Sequence, residues 1–116
     1  VRRPPPPKDR PEDKIVQALK AYLRTREWLV KKTHGSEYQS GFPDLFCAHK
    51  RFGIRWVEVK VAKHGRFTPA QIETFREFAG VGVGVWVLVG ATEEEYQKLF
   101  HQPNWWAYCS EMREFR

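Results

Sequence analysis

The sequence is poor in the features that announce most classes of function. Cys47 and Cys109 are its only cysteines, too few for a disulfide framework, and neither belongs to a CxxC pair. His34, His49, His64 and His101 are scattered, without the close pairing of a structural zinc site. No apolar run approaches the ~20 residues of a membrane-spanning helix, so no membrane association is expected. The start, Val1-Arg2-Arg3-Pro4, lacks the apolar stretch of a signal peptide. With so little cysteine, this makes a reducing, intracellular and cytoplasmic setting the simplest expectation. The start also lacks Met, which leaves open an origin within something longer. No Walker motif, nucleophile elbow or His-Glu-X-X-His occurs. Gly80, Gly82 and Gly84 precede a strand pattern rather than leading from a strand into a helix, which argues against a dinucleotide loop. Nothing calls for an organic cofactor.

What is present is a 116-residue chain of ordinary globular composition, 41% hydrophobic and 29% charged, with room for one domain. Eight Phe, five Trp and four Tyr supply a small core generously. The net charge of +6 is unevenly spread. Lys50, Arg51, Arg55, Lys60, Lys63 and Arg66 face Glu58 alone within residues 50–66, whereas Glu73, Glu77, Glu93, Glu94 and Glu95 face Arg76 within residues 73–95. One basic and one acidic stretch suit a polyanion-binding face and a solvated back, though solvated charge alone explains them equally well. Residues 1–10 form a basic, Pro-rich arm whose Pro4 to Pro7 favour an extended conformation.

Hydrophobic periodicity gives the order of elements. Pro11 opens a helix with Glu12 and Asp13 in its first turn, and Ile15, Val16, Leu19, Tyr22 and Leu23 form its stripe. Strands are expected at 28–32, 45–49 and 54–61. A capping box at Thr68-Pro69-Ala70-Gln71 opens a second helix. Val85 to Val89 is apolar on both faces, as in a buried central strand. Thr92 caps a third helix through Phe100, and 104–109 offers a final edge strand, with Trp105 and Trp106 on opposite faces. The short links suit antiparallel hairpins among the first three strands, and the strand after the second helix returns parallel by a right-handed crossover. The fold class is α/β, a mixed sheet flanked by helices.

On strand 54–61, Glu58 and Lys60 share one face. A carboxylate beside an ammonium can hold a divalent metal and support a phosphate, or can be an ion pair on a wet strand face. Asp44 follows a Gly-Phe-Pro turn at the mouth of the neighbouring strand, where it can approach Glu58. Two carboxylates so close repel unless a cation sits between them, and oxygen ligands with open water positions suit Mg²⁺. Glu12 lies on the inward stripe of its helix, although the helix dipole alone favours it there. Gln71 points inward too, although the capping box already accounts for it.

Asp44, with Pro43 before it and Glu58-Val59-Lys60 fourteen residues on, resembles the PD-(D/E)XK nuclease signature. More narrowly, Gly41-Phe42-Pro43-Asp44, Val57 to Lys60 and Thr68 to Gln71 are similar, in this order, to the VRR-NUC family. Glu12 in an opening helix and Trp28-Leu29-Val30 in a first strand fit the same order. The resemblance spans about residues 11–100 and leaves out the arm and the tail from Pro103. It implies a restriction-endonuclease-like core and cleavage of DNA. Asp44, Glu58 and the Val59 backbone carbonyl would bind Mg²⁺ or Mn²⁺, and Lys60 would activate water and stabilise charge on the phosphate. Glu12 would add an outer carboxylate and Gln71 would orient water. Lys63, His64 and Arg66 are the expected DNA contacts. By the same resemblance the chain would act on branched DNA as a homodimer, like a Holliday-junction resolvase. A phage or bacterial origin would suit so small an enzyme. The alternatives are a flap endonuclease or exonuclease module of a repair protein, a catalytically silent DNA-binding domain, and a scaffold that binds a partner through its proline arm.

Overall fold

The computed structural model describes residues 11–33, 41–62 and 66–112, with side chains through Tyr108. The arm at 1–10 and the expected DNA contacts Lys63 and His64 lie outside the described residues. Helix α1 (Pro11–Arg24) buries Val16, Leu19 and Leu23, the inner stripe of its amphipathic pattern. Beyond it Glu27 adopts a left-handed conformation (φ 68°) and the Trp28 N–H donates to the Leu23 carbonyl. That turn sends the chain into β1 (Leu29–Lys32). Strands β2 (Leu45–His49) and β3 (Gly53–Val59) follow, then α2 (Pro69–Gly80), β4 (Val85–Leu88) and α3 (Glu93–Gln97). A 3₁₀ turn (Lys98–Phe100) and α4 (Trp105–Met112) complete the described elements.

The sheet order is β1-β2-β3-β4, with the first two pairings antiparallel and β3–β4 parallel, as the connection lengths predict. One face carries Val30, Leu45, Cys47, Val57 and Val59 against α1 and against Tyr96 and Leu99. The other face sets Val85 and Val87 against Ile72 and Phe75 of α2 and Trp105 of α4.

Three expectations need correction. Residues 104–109 do not form an edge strand. The Asn104 side-chain amide donates to the Val87 carbonyl (3.1 Å) and its oxygen accepts the Val87 N–H (2.6 Å). One side chain thus satisfies the edge that a fifth strand would have paired, and the chain turns into α4. Trp105 and Trp106 consequently stack on each other at 4.1 Å, one buried and one half-exposed, rather than facing opposite sides of a sheet. Strand β4 is buried throughout, as its composition predicts, yet it is an edge strand by pairing. Helices cover its faces, while Asn104 and the Glu95 carboxylate, which accepts the Val89 N–H at 2.9 Å, blunt its edge. Finally, β3 stops at Val59 rather than Val61. Beyond Leu45 no β2 residue remains to pair with it, and a side chain takes over that edge.

Candidate active site

The site grows from the point where the β2–β3 ladder ends. Leu45 pairs with Val57, so Asp44, one residue earlier, falls opposite Glu58. The Asp44 N–H donates to Glu58 Oε1 (3.2 Å), and the Val59 N–H donates to Asp44 Oδ2 (2.8 Å). In extended backbone the carbonyl of a residue points the same way as its N–H, which turns the Val59 carbonyl toward Asp44 as well. The two carboxylates are locked together by the backbone of the opposing strand.

Lys60 lies one residue beyond β3, and its N–H still donates to the Leu88 carbonyl (3.0 Å). Its Nζ meets Glu58 Oε2 at 3.0 Å, Gln71 Oε1 at 3.2 Å and the Arg66 carbonyl at 2.6 Å. Those three acceptors match the three protons of an ammonium. Glu58 is 1% exposed and Lys60 5%, so this is no wet-face ion pair. Gln71 does two things at once. Its Oε1 accepts the Thr68 N–H (2.9 Å), closing the capping box, while Nε2 donates to Glu58 Oε2 (2.7 Å). The cap and the site share one side chain, so neither expectation for Gln71 excludes the other.

Burial is the main cause that pushes the Glu58 carboxyl up to about 8, with the Asp44 charge adding to it and Lys60 and Gln71 working against it. Asp44 is also raised, chiefly by burial, although the Val59 N–H, Lys60 and Lys32 favour its charge. Asp13, in the first turn of α1, adds repulsion. Glu12 is half-buried in the same turn. Arg66 is exposed, and its backbone rather than its guanidinium contacts Lys60.

Two residues brace the Asp44 turn, and of these sequence reasoning missed Thr33. Thr33, just past β1, donates its hydroxyl to the Pro43 carbonyl (2.6 Å) and its N–H to the Asp44 carbonyl (2.8 Å). Gly41 has φ 88°, and a Cβ there would stand 2.4 Å from the Ala70 carbonyl oxygen of α2. Only glycine allows that turn to press against the helix carrying Gln71. The Gly-Phe-Pro spacing pointed to Gly41; nothing in the sequence distinguishes Thr33.

Among the described residues, no group of three or more His, Cys, Asp or Glu side chains is placed to hold a metal. Two carboxylates and a carbonyl, all hard oxygen donors, do fit Mg²⁺ or Mn²⁺, which take few protein ligands and complete their shell with water and phosphate. Burial first and the Asp44 charge second raise Glu58, and a cation between the two carboxylates would relieve their repulsion.

The mixed four-stranded sheet carries Asp44, Glu58 and Lys60 at the end of its central hairpin, and its likeness to a solved structure supports a nuclease-type α/β domain. A solved structure described as a VRR_NUC domain superposes with a TM-score of 0.67 at 26% identity, covering 80% of this chain and 98% of its own. A second, described as a VRR_NUC domain protein, gives 0.56 at 18% identity over 80% of this chain and 87% of its own, a likeness of fold. No family model matches the sequence, and no curated protein matches it either. The first of these likenesses supports the VRR-NUC family to which the motifs point. Among the described residues no helix is long and apolar enough to cross a membrane.

Proposed function

We propose that this chain is a Mg²⁺- or Mn²⁺-dependent endonuclease that cuts branched DNA as a homodimer. The observation that carries the reading is the meeting of the half-buried Asp44 and Gln71 with the buried Glu58 and Lys60. Asp44, Glu58 and the Val59 carbonyl would hold the cation. Bound there, it would offset the repulsion between phosphate and attacking water and render that water more acidic. Lys60, released from Glu58 when that carboxylate turns to other work, donates to the phosphate oxygen on which charge develops. Gln71 keeps Glu58 Oε2 aligned and can hold the water. Asp13 puts negative charge near Asp44, Glu12 would add an outer carboxylate, and Arg66 would offer a phosphate contact.

A monomer carries one such site, so symmetrical cutting of two strands calls for two copies. The sheet face beside α2 offers a contact surface, because Leu29, Ala48 and Ile54 lie in register across it and Leu29 and Ile54 are 52% and 54% exposed. Edge-to-edge pairing through β1 is opposed by Lys31 and Lys32, so the face rather than the edge would meet its copy.

The test is cleavage of a labelled four-way junction, 5′ and 3′ flaps, linear duplex and single strand, in Mg²⁺, in Mn²⁺ and in EDTA. Paired, metal-dependent nicks in the junction, lost in Asp44→Ala, are expected. Cutting confined to flaps or ends moves the same site to repair processing, and tight binding without cutting in either metal defeats the nuclease reading. Light scattering of wild type and Ile54→Glu checks the dimer. A wild-type mass of one chain at micromolar concentration removes it.

A further inference from the structure

The basic stretch holds three cations that the active site does not use, Lys50, Arg51 and Arg55, and the fold gathers them elsewhere. All three sit in or beside the β2–β3 turn, at the foot of the sheet, while Glu58 and Lys60 lie at its other end. From Arg55 to Lys60 the chain runs along β3, and from the turn to the site is on the order of 20 Å at ~3.3 Å per residue. Along B-form DNA that distance spans about six phosphates of one strand.

The turn is held firmly. His49 Nδ1 accepts the Arg51 N–H (3.0 Å), and the His49 ring lies 4.6 Å from Phe52 and 5.0 Å from Trp28. Phe52 in turn meets Phe100 at 4.8 Å. Lys50 and Arg51 stand exposed on this fixed base. Arg55 donates from Nε to the Leu99 carbonyl (2.8 Å) and from Nη1 to the Ile54 carbonyl (2.9 Å), with its guanidinium 4.9 Å from the Trp86 ring centre. Beside it opens a cleft of about 370 Å³, lined by Ile54, Trp56, Gly82, Gly84 and Trp86 and by no acidic side chain. Arg55 is held by two carbonyls, and Lys50 and Arg51 project from a fixed turn with no carboxylate among the three, which fits a polyanion.

Resting on the nuclease reading above, we propose that the β2–β3 turn is a distal contact for the phosphate backbone of a DNA arm, engaged about six base pairs from the cut. A duplex arm leaving the active site along the sheet reaches Lys50 and Arg51 only if it is long enough. The enzyme thereby gains affinity for substrates with intact arms and loses it for short ends.

The experiment compares wild type with the Lys50→Gln/Arg51→Gln double variant, both exposed positions whose backbone contacts are kept. Binding to a junction in EDTA is titrated with salt, using hairpin-capped arms of about ten and of about four base pairs. On long arms the variant is expected to bind more weakly, with a plot of log K against log salt shallower by ~2, about 0.9 per lost phosphate contact. On short arms the two proteins should coincide. In Mg²⁺ the variant's KM should rise on long arms while kcat holds. Equal slopes on long arms, or a difference that persists on short ones, overturns the distal contact. So does loss of the dimer in light scattering, which would make the turn a protein interface. Wild type that binds no DNA defeats the nuclease reading itself, whereas normal cutting with an indifferent variant defeats only the distal contact.

Discussion

Two Glu–Lys pairs among the described residues are largely buried, and they differ in everything but composition. Glu58 and Lys60 meet at 3.0 Å at the end of the central hairpin, and Glu95 and Lys98 at 2.7 Å under the edge strand. Glu95 spends one oxygen on the Val89 N–H, and Lys98 reaches the Tyr108 hydroxyl at 2.7 Å. Burial works against the Lys98 charge, but its hydrogen bonds to Glu95 and Tyr108 hold its pKa above the ordinary value. That pair ties α3 and α4 to β4, and its charges are at rest. Glu58 has a second carboxylate pressed against it, and burial together with Asp44 outweighs what Lys60 and Gln71 return. A Glu–Lys pair as such is therefore no mark of function. The mark is a surplus of one charge, held in place by backbone hydrogen bonds from a neighbouring strand.

The comparison breaks most sharply in parallel lysine substitutions. Lys60→Met should lower cleavage at least ~100-fold, the scale of removing one donor from a developing oxyanion. Its stability cost should stay near ~1–2 kcal/mol below pH 7, because Glu58 can take up a proton once its partner is gone. Lys98→Met should cleave within about twofold of wild type, yet lose ~1 kcal/mol of stability by thermal unfolding, discounted for its partial exposure. Equal losses of activity in both variants would mean that the Glu58–Lys60 pair is structural too.

How much of this was legible in the sequence follows from the range of each interaction. The helices, three antiparallel-linked strands and the parallel return come from local periodicity and short connections, and the structure agrees with them. Asp44 opposite Glu58 was within reach because hairpin register is a local matter. Residues 104–109 were misread because their alternation is satisfied by Asn104 gripping β4, a contact across seventeen positions that no local pattern encodes. The position of β4 at the sheet edge was hidden for a similar reason: Glu95 and Asn104 make an edge look like an interior. Thr33 was invisible because a threonine at a strand end has no signature until its hydroxyl is seen on Pro43. The sequence placed Glu12 on the inward stripe, and only the set of the helix against the sheet shows that the Asp13 charge reaches Asp44 as well.

A second way to sharpen the contrast is pH. The folded Glu58 carboxyl titrates near 8 against an ordinary 4.5, so the metal-free native state keeps a proton that the unfolded chain releases. Stability from this group is full below about 4.5 and is lost as pH rises through about 8, and the raised Asp44 works in the same direction. Metal-free protein should accordingly lose on the order of 2 kcal/mol between pH 5 and pH 8.5, read as a falling Tm. Mg²⁺ or Mn²⁺ should flatten that fall by favouring the charged carboxylates, and Glu58→Gln should remove most of it. A metal-free Tm that rises across this range would show that Lys60 outweighs burial and Asp44.

The smallest expected effect separates holding a ligand from being one. Thr33→Val keeps the shape and the backbone bond to the Asp44 carbonyl but deletes the hydroxyl donated to Pro43. The loss of one such bond costs ~1 kcal/mol, and the Pro43–Asp44 turn gains freedom in proportion. Asp44 then spends part of its time away from Glu58, so half-maximal activity should need severalfold more Mn²⁺ while the rate at saturating Mn²⁺ stays near wild type. Thr33→Ser, which restores the hydroxyl, should return the Mn²⁺ requirement to normal. A Thr33→Val protein that loses rate even at saturating Mn²⁺ would place the hydroxyl in the chemistry itself. One with an unchanged requirement would show that the Val59 N–H alone fixes Asp44, making the buried end of the hairpin, rather than the turn before it, the element on which the site depends.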